Sequence, residues 1–264
     1  MMKLTENSIR RIVRQVMLSE GVYDPGVLKA IFMAGGPGSG KSHTAKAILG
    51  GDTNNALSTM TSVGLKLVNS DPAFEHFLKK AGINPGDLGK LSQDEFEKAT
   101  VGPDSPRGKA KALRDKTQSI YMQGRLGLVI DGTGDDYSKI SAKKKKLEEA
   151  GYDTFMIFVN TSLEVAQERN ASRDRKLPAD LVQDIWNDVQ QNLGKFQGLF
   201  GAENLAIVDN TEYGPVPKEV NSAVANFIGR SVKNPTGKQW IKSELEKKGS
   251  KAKLPKKSGQ YRGR

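Results

Sequence analysis

The 264-residue chain contains no cysteine, which excludes several kinds of site at once. Without a thiol there is no disulfide framework, no thiolate zinc centre, no iron–sulfur cluster and no cysteine nucleophile. Long apolar runs are also lacking, because runs such as residues 30–34 and 155–159 are far shorter than the ~20 residues that span a bilayer. Arg10, Arg11 and Arg14 interrupt the apolar residues near the amino terminus, unlike a secretory signal. We therefore expect an intracellular, cytoplasmic protein without a membrane partner.

Acidic residues are scarce at the carboxyl-terminal end, and this imbalance sets the charge of the whole chain. The 41 Lys and Arg residues against 30 Asp and Glu give a net charge of +11. Residues 231–264 hold 11 basic and 2 acidic residues, which leaves only +2 for residues 1–230. This tail is rich in Lys, Gly, Ser and Pro, so we predict a short helix at most and a largely flexible end. It would attract nucleic acid nonspecifically, or serve as a solubilising or partner-docking end.

The composition divides the chain into three predicted regions. Residues 1–27 form an amphipathic helix and a linker, because apolar residues at positions 9, 12, 13, 16 and 17 share one helical face. That helix packs on its own domain or docks on a partner. Turn-forming residues over 21–26 separate it from a central domain over 28–230. Residues 231–264 are the basic tail.

From residue 28 onward, short apolar runs alternate with helical stretches. The runs cover residues 30–34, 65–69, 126–130, 154–159 and 205–208. Runs of this length between helices are typical of buried parallel strands in an α/β sheet. The predicted helices cover residues 41–49, 73–81, 109–124, 138–150, 162–173, 178–196 and 217–229. An insertion rich in Pro and Gly over 83–108, with a short helix over 92–99, is a cap or a substrate loop.

A phosphate-binding motif directly follows the first predicted strand. It matches G-x-x-x-x-G-K-[ST] with Gly35, Gly36, Pro37, Gly38, Ser39, Gly40, Lys41 and Ser42. Its glycines let the backbone wrap a phosphate, while the side chain of Lys41 reaches the β and γ phosphates and the Ser42 hydroxyl meets Mg²⁺. The next residue, His43, is placed among the nucleotide-binding residues. It has no second His or Cys at the spacing of a metal site.

Two further predicted strands run into aspartates. Asp71 closes the sequence Val-Asn-Ser-Asp at the carboxyl edge of the sheet, where ligands of open α/β folds bind. It is placed to take a proton from an acceptor hydroxyl, and its alternative role is the N-cap of the helix beginning at Pro72. Asp131 ends an apolar run in the manner of a Walker B carboxylate that helps to hold Mg²⁺. A simple turn after the strand is the alternative there.

Basic residues cluster after the fourth predicted strand. Arg169 and Arg173 share a helical face, and Arg175 precedes the next helix. Arg169 is also placed among the nucleotide-binding residues. Clustered guanidinium groups suit a lid that neutralises a migrating phosphoryl group, and a solvated helix end is the alternative. Asn210, after the last strand, contacts the adenine or belongs to a turn. The lysines over 143–146 are interpreted as a solvated helix face.

The set GGPGSGKS, VNSD, LVIDGT and ERNASRDRKLP, in that order, resembles the zeta-toxin and polynucleotide-kinase branch of P-loop kinases. The likeness covers residues 28 to about 212 and is greatest to kinases predicted in large tailed bacteriophages. It implies a P-loop NTPase three-layer sandwich with a five-stranded parallel sheet and a kinase-type lid. It also implies ATP with Mg²⁺, Asp71 as base, Lys41 and Ser42 at the phosphates, and Arg173 or Arg175 as lid arginines.

These motifs predict an ATP-dependent kinase that phosphorylates a hydroxyl acceptor. The acceptor is a polynucleotide 5′ end, a nucleotide or a nucleotide sugar, and nothing in the sequence chooses among them. The alternative from another class is a nucleotide-binding structural or assembly protein of a phage particle that retains the kinase fold.

Overall fold

The computed structural model describes residues 21–24, 26–50, 61, 63–173, 176–212 and 214–248. The predicted amphipathic helix before residue 21 therefore lies outside the described residues, as do residues 249–264 of the basic tail. Five strands form one sheet: β1 (Lys29–Ala34), β2 (Lys66–Val68), β3 (Leu128–Asp131), β4 (Asp153–Asn160) and β5 (Leu205–Asp209). Their spatial order is β2-β3-β1-β4-β5, and every neighbouring pair is parallel. The predicted α/β fold with five parallel strands is confirmed.

Helices follow each strand and cover both faces of the sheet. They are α1 (Lys41–Leu49), α2 (Asp71–Lys80), α3 (Gln93–Thr100), α4 (Pro106–Gln123), α5 (Tyr137–Glu149), α6 (Leu163–Ala171), α7 (Ala179–Phe200), α8 (Lys218–Gly229) and α9 (Pro235–Lys248). Short 3-10 helices occupy Gly21–Tyr23, Pro85–Lys90 and Ala202–Asn204. In the described part of the chain, no helix combines the length and the apolar character that crossing a membrane requires.

Alternate residues of the central strands build two cores, one on each side of the sheet. On one side, Phe32 of β1 and Phe158 of β4 pack with Phe196 and Phe200 of α7. On the other side, Ile31 and Phe155 join a cluster supplied by α1 and α8. All six residues of β1 are buried, as expected for a central parallel strand covered on both faces. The result is the predicted helix–sheet–helix sandwich.

Strand β1 lies where the direction of the chain reverses in the sheet. From β1 the chain crosses over β3 to the edge strand β2 and then returns to β3, whereas β4 and β5 extend the sheet on the other side. Ligands of open α/β sheets bind outside the carboxyl ends of the strands at such a switch point. The register pairs Met33 of β1 with Asp131 of β3, so β3 ends with Asp131 level with a residue two positions before the phosphate-binding loop begins at Gly35.

The insertion between α2 and α4 has a small core of its own. Leu88 and Ala99 from the insertion pack with Phe74 and Leu78 of α2, and with Ala110 of α4. The predicted short helix is present as α3, which begins with a capping box formed by Ser92 and Glu95. The insertion is therefore a packed helical unit beside the carboxyl edge of β2.

The described part of the carboxyl-terminal segment, which ends at residue 248, differs from its prediction as a short helix at most. Helix α9 has 14 residues, and Val232 before it is only 5% exposed. Trp240 and Ile241 pack against the core on the α7 side of the sheet. Sparse apolar residues predict disorder only if they find no partner, and here a few of them are enough to dock the helix. The boundary expected at residue 230 therefore falls inside packed structure.

Candidate active site

The phosphate-binding loop between β1 and α1 packs closely against helix α6 and the side chain of Asn210. Gly38 and Gly40 have positive φ angles of 77° and 86°, which glycine adopts at no steric cost. A Cβ on Gly38 would lie 2.2 Å from the carbonyl oxygen of Ala166 in α6. A Cβ on Gly40 would lie 2.1 Å from the side-chain amide nitrogen of Asn210. These positions require glycine both for backbone shape and for close packing.

Two predicted nucleotide-binding side chains hold this loop in place. The buried Asn210 donates from Nδ2 to the carbonyl oxygen of Ser39 at 2.8 Å. The Arg169 guanidinium donates to the carbonyl oxygens of Gly38 and Thr211, both at 3.4 Å. The structure thus places Asn210 and Arg169 behind the loop as its supports. The predicted adenine contact of Asn210 stays a prediction.

Lys41 is the first residue of α1, and its half-buried side chain turns back over the loop. Its Nζ donates to the carbonyl oxygens of Gly35 at 2.5 Å and Gly36 at 3.2 Å. Burial lowers the pKa of this ammonium group, while the nearby carboxylate of Asp131 acts in the opposite direction. The lysine predicted from the motif therefore stands at the mouth of the loop.

Asp131 ends β3 on the strand next to the loop, and its carboxyl is half-buried. Burial raises the pKa of Asp131, and the negative charge of Asp71 raises it further, whereas Lys41 acts against both. The electrostatic field at Lys41 includes Asp71 and Arg173 as well. Four side chains predicted separately from the sequence are thus brought together at one edge of the sheet. Strong mutual perturbation of titratable groups is typical of functional sites.

Asp71 follows β2 and is the first residue of α2. Its interpretation as the N-cap of that helix is wrong, because Ser70 occupies the N-cap position and the helix already includes Asp71. Its backbone N–H donates to the Oδ1 atom of Asn69 at 2.8 Å. Its carboxylate forms an ion pair with Arg107 at 3.1 Å, and the two side chains are 42% and 32% exposed. The carboxylate therefore remains accessible from solvent.

Arg107 is a site residue that the sequence did not reveal. It lies in the first turn of α4, behind a Ser105 N-cap, and its guanidinium also lies 4.9 Å from the ring centroid of Phe74. No motif marks this arginine, because its approach to Asp71 depends on how the insertion folds. Asp135, just after β3, was also missed, although its charge acts on the pKa of Lys41.

The predicted lid follows α6 and is tied at its base. Asn170 forms two hydrogen bonds with the backbone of Leu177, donating to its carbonyl at 2.8 Å and accepting from its N–H at 3.1 Å. Arg173 is exposed at the end of α6 and acts on the pKa values of both Lys41 and Asp131. Arg175 lies outside the described residues.

The helix after the lid is bonded to the loops around the site. In α7, Trp186 donates to the carbonyl of Thr161 at 2.8 Å, next to the end of β4. Asn192, further along α7, donates to the carbonyls of Gly134 at 3.1 Å and Asp135 at 2.7 Å, just after β3. Helix α7 therefore links the loops that follow β3 and β4.

Two predictions concern metal and histidine. Ser42, in the first turn of α1, and Asp131 are half-buried at the same edge of the sheet, as a shared role at Mg²⁺ requires. Among the described residues no group of three or more His, Cys, Asp and Glu side chains forms a metal cage. Mg²⁺ bound mainly through phosphates and one or two protein ligands needs no such cage. His43 is exposed on α1, and its place among the nucleotide-binding residues stays a prediction.

Comparison with known proteins gives structural similarity alone. No protein-family model matches the chain, and no curated protein sequence matches it. The fold is similar to a solved structure from the PezAT chromosomal toxin–antitoxin system of Streptococcus pneumoniae, with 14% identity, 94% of this chain and 98% of that chain covered, and a TM-score of 0.45. It is also similar to a gluconokinase from Sinorhizobium meliloti, with 18% identity, 82% and 98% covered, and a TM-score of 0.40.

A third similar structure is the AvrRxo1-ORF1:-ORF2 complex with ATP, with 14% identity, 97% of this chain and 75% of that chain covered, and a TM-score of 0.43. Identities this low concern the fold only. The chain's own features, a five-stranded parallel sheet in the order β2-β3-β1-β4-β5 with a phosphate-binding loop after the central strand, establish the P-loop α/β fold.

Proposed function

We propose that the chain is an ATP-dependent kinase that transfers a phosphoryl group to a hydroxyl acceptor. One observation carries this proposal. The carboxyl ends of the adjacent strands β2, β3 and β1 bring Asp71, Asp131 and the loop lysine Lys41 to one edge of the sheet, where the charge of Asp71 acts on the pKa of both other groups. Binding of a nucleotide requires only the loop. Activation of an acceptor hydroxyl also requires a base, and a carboxylate just after β2 can be that base.

The loop fits the phosphates of ATP. The Ser39 hydroxyl is buried without a hydrogen-bond partner in the part of the chain that the structure describes. Its carbonyl is held by Asn210, and the loop leads directly into the amino terminus of α1. Backbone N–H groups of such a loop and helix start bind anionic oxygens. Lys41, now bonded to two loop carbonyls, can exchange these for phosphate oxygens.

Ser42 and Asp131 would hold Mg²⁺ at this site. When bound there, the ion would neutralise charge on the phosphates. A pKa of Asp131 that burial raises favours a cation beside the carboxylate, because the cation offsets the cost of burying its charge.

Asp71 supplies the acid–base chemistry in this proposal. Its carboxylate accepts the proton of the acceptor hydroxyl as that oxygen attacks the terminal phosphoryl group. In this proposal Lys41 and Arg173, whose charges act on each other, stabilise the charge on the phosphoryl oxygens in transit. The ion pair with Arg107 supports a fixed orientation of the Asp71 side chain. We include Arg175, beside Arg173 in sequence, as a second lid arginine.

Transfer from radiolabelled ATP to a panel of acceptors tests the proposal. The panel contains 5′-hydroxyl oligonucleotides, nucleosides, nucleotides and nucleotide sugars, each measured with Mg²⁺ and with a chelator. We expect Mg²⁺-dependent labelling of at least one acceptor class, absent in the Lys41→Ala variant. ATP binding without transfer to any acceptor would contradict the kinase and favour the assembly-protein alternative.

A further inference from the structure

We infer that a cleft at the amino end of the sheet is a second ligand site, and that it binds a small phosphate monoester carrying a hydroxyl group. The cleft has a volume of about 310 Å³. Its walls come from α5, the start of β4, the segment after α7 and the segment between α8 and α9. Because clefts that bind small molecules span roughly 300–1,000 Å³, this one suits a small metabolite.

The cleft is separate from the proposed nucleotide site. It lies where β4 begins, at Asp153 and Thr154, whereas the phosphate-binding loop follows the carboxyl end of the neighbouring strand β1. Strand β4 covers eight residues, and at about 3.3 Å per residue its two ends lie about 23 Å apart. A small molecule in the cleft therefore touches none of the residues assigned to ATP. The cleft is independent of the kinase proposal.

Two cations of the cleft have no carboxylate partner. Both carboxylates that line it are already paired with a lysine, Asp153 at 2.8 Å and Glu148 at 2.6 Å. Arg230 and Lys233 line the cleft as well, and neither forms an ion pair within the part of the chain that the structure describes. Burial lowers the pKa of Lys29, and the charges of Arg230 and Lys233 lower it further. The cleft therefore carries a surplus of positive charge.

Arg230, which directly follows α8, is oriented by two contacts. Its guanidinium lies 5.0 Å from the ring centroid of Phe227, and its Nη2 donates to the Oδ1 atom of Asn204 at 2.7 Å. Its Nη1 has no hydrogen-bond partner among the described residues. A guanidinium that is already oriented loses little freedom when it binds the oxygens of a phosphate. Arg230 is thus the anchor for the anionic group of a ligand.

Hydrogen bonds fasten the segment that carries Lys233. The backbone N–H groups of Lys233 and Asn234 donate to the Asp153 carboxylate at 2.9 Å and 2.8 Å. The Asn234 side chain donates to the carbonyl oxygens of Glu148 at 2.8 Å and Tyr152 at 3.3 Å. The exposed Lys233 side chain therefore extends from a fixed backbone and can add its charge to an anion in the cleft.

Glu148 offers an acceptor for a hydroxyl group. Its Oε1 atom accepts hydrogen bonds from the Lys144 ammonium at 2.6 Å and from the Thr154 hydroxyl at 3.0 Å. In the described part of the chain no group donates to its Oε2 atom, and the side chain is 39% exposed. An ionised carboxylate accepts hydrogen bonds on both oxygens. A ligand with an O–H group for Glu148 and an anionic group for Arg230 satisfies both.

The charge surplus favours a phosphate over a single carboxylate. A phosphate monoester carries about 1.5–2 negative charges at neutral pH, which matches the combined charge of Arg230 and Lys233. A carboxylate carries one charge and leaves the second cation unpaired. A dicarboxylate has the same charge as the monoester, so the experiment compares the two.

Calorimetry with glycerol 3-phosphate tests the site. Glycerol lacks the charge, inorganic phosphate lacks the carbon-bound hydroxyl, and malate replaces the phosphate with a second carboxylate. All titrations use the full chain without ATP, so that no phosphoryl transfer occurs. Since a phosphate-binding loop also takes anions, binding to the loop has to be distinguished from binding to the cleft.

Five variants make that distinction. Arg230→Gln and Lys233→Gln each remove one cation of the cleft. Lys218→Gln on α8 and Lys238→Gln on α9 remove the same charge from exposed positions outside it. Lys41→Ala removes the lysine of the phosphate-binding loop.

We expect glycerol 3-phosphate to bind one-to-one, ~10-fold more tightly than inorganic phosphate, because it adds a hydrogen bond to a charged group. Glycerol alone should not bind. Arg230→Gln should weaken binding ~10-fold by removing a charged donor, and Lys233→Gln ~3-fold, as for an exposed charge. The two control variants and Lys41→Ala should leave the affinity unchanged. Lys233→Gln keeps the test valid if Arg230→Gln fails to fold, because only the backbone of Lys233 forms hydrogen bonds in the fold.

No measurable binding of glycerol 3-phosphate, or equal losses in the control variants, would overturn the second site. Binding lost in Lys41→Ala but kept in both cleft variants would assign the phosphate to the loop and overturn it too. Malate or inorganic phosphate bound as tightly as glycerol 3-phosphate would contradict a phosphate monoester as the ligand.

Discussion

Lys29 and Lys41 lie near opposite ends of strand β1, and their ammonium groups have different hydrogen-bond partners. At the amino end, the Lys29 ammonium donates to the carboxylate of Asp153, its neighbour on β4, at 2.8 Å, and the side chains are 1% and 6% exposed. Asp153 also accepts hydrogen bonds from the backbone N–H groups of Lys233 and Asn234. At the carboxyl end, Lys41 donates to two neutral carbonyls of its own loop.

The carboxylates of the two ends differ in the same way. Burial alone would raise the pKa of Asp153, but hydrogen bonds from Lys29 and from two backbone N–H groups hold it below its usual range. The pKa of Asp131 is raised, because burial and Asp71 outweigh the attraction of Lys41. The Lys29–Asp153 pair at the amino end thus satisfies its charges within the protein, and the carboxyl end leaves charge to be satisfied by a ligand. The first arrangement is what a structural ion pair requires, and the second is what the proposed nucleotide site requires.

The largest expected effect comes from deleting residues 231–264, which include helix α9 and the backbone donors to Asp153 at the amino end of β4. A chain ending at residue 230 loses Val232, Trp240 and Ile241 from the core and both backbone donors to Asp153. Burial of these apolar side chains stabilises the fold by about 5 kcal/mol, so we expect the truncated chain to be largely unfolded, as judged by urea denaturation.

A chain ending at residue 248 is the matched control, because it retains α9. Its free energy of unfolding should equal that of the full chain. It also removes residues 249–264, which carry six basic and no acidic residues, so weaker nonspecific nucleic-acid binding with a smaller salt dependence is expected. Normal stability of the chain that ends at residue 230 would show that α9 does not stabilise the fold.

Asp153→Asn should produce the next largest effect. It leaves the Lys29 ammonium buried without its counter-charge, which costs about 3–5 kcal/mol. Since the pKa of Asp153 is lower in the folded than in the unfolded chain, its stabilisation is present above about pH 4 and is lost as the pH falls through the folded pKa. Thermal unfolding between neutral and acidic pH measures this, and the difference from the unmodified protein should shrink in acid.

Asp131→Asn is the control at the carboxyl ends of the strands. Its effect on the free energy of unfolding should have the opposite sign. A raised folded pKa means that the ionised carboxylate opposes folding, so removing its charge should leave stability at neutral pH unchanged or slightly higher. A loss of stability equal to that of Asp153→Asn would erase the distinction between the two ends.

Lys41→Ala tests whether the lysine at the carboxyl end of β1 acts on the ligand and not on stability. The side chain serves the ligand, so we expect phosphoryl transfer to fall roughly 10³-fold, as for the loss of a strong charge-stabilising donor. The melting temperature should not fall, because burial disfavours this charge in the folded protein. Calorimetry with ATP, together with transfer assays, measures both effects. Near-normal turnover in the folded variant would remove Lys41 from the site.

Asn210→Ala should have the smallest effect. It removes the 2.8 Å hydrogen bond to the Ser39 carbonyl and so loosens the loop without deleting a ligand contact. We expect ATP affinity to fall ~10-fold, the equivalent of about one buried hydrogen bond, with kcat changed less than the KM for ATP. A kcat loss as large as that of Lys41→Ala would assign Asn210 a direct role instead.

Local patterns explain which features could be predicted from the sequence. The strands and the phosphate-binding loop were found because apolar runs and a glycine motif are written in consecutive residues. Helix α9 was underestimated, since its docking relies on a close approach of Gly237 to Gly151 and on few apolar side chains. Arg107 was missed for a related reason. Its approach to Asp71 arises only when separate helices come together in the folded chain.

The central claim is that Asp71 activates the acceptor beside a nucleotide held by the loop. Asp71→Asn keeps the size of the side chain and a partner for Arg107 but removes the base. The decisive measurement is the single-turnover rate of phosphoryl transfer in this variant, with ATP affinity determined on the same sample. We expect unchanged ATP affinity and a rate lower by ~10²-fold or more. A folded variant that transfers phosphate at the normal rate would contradict it.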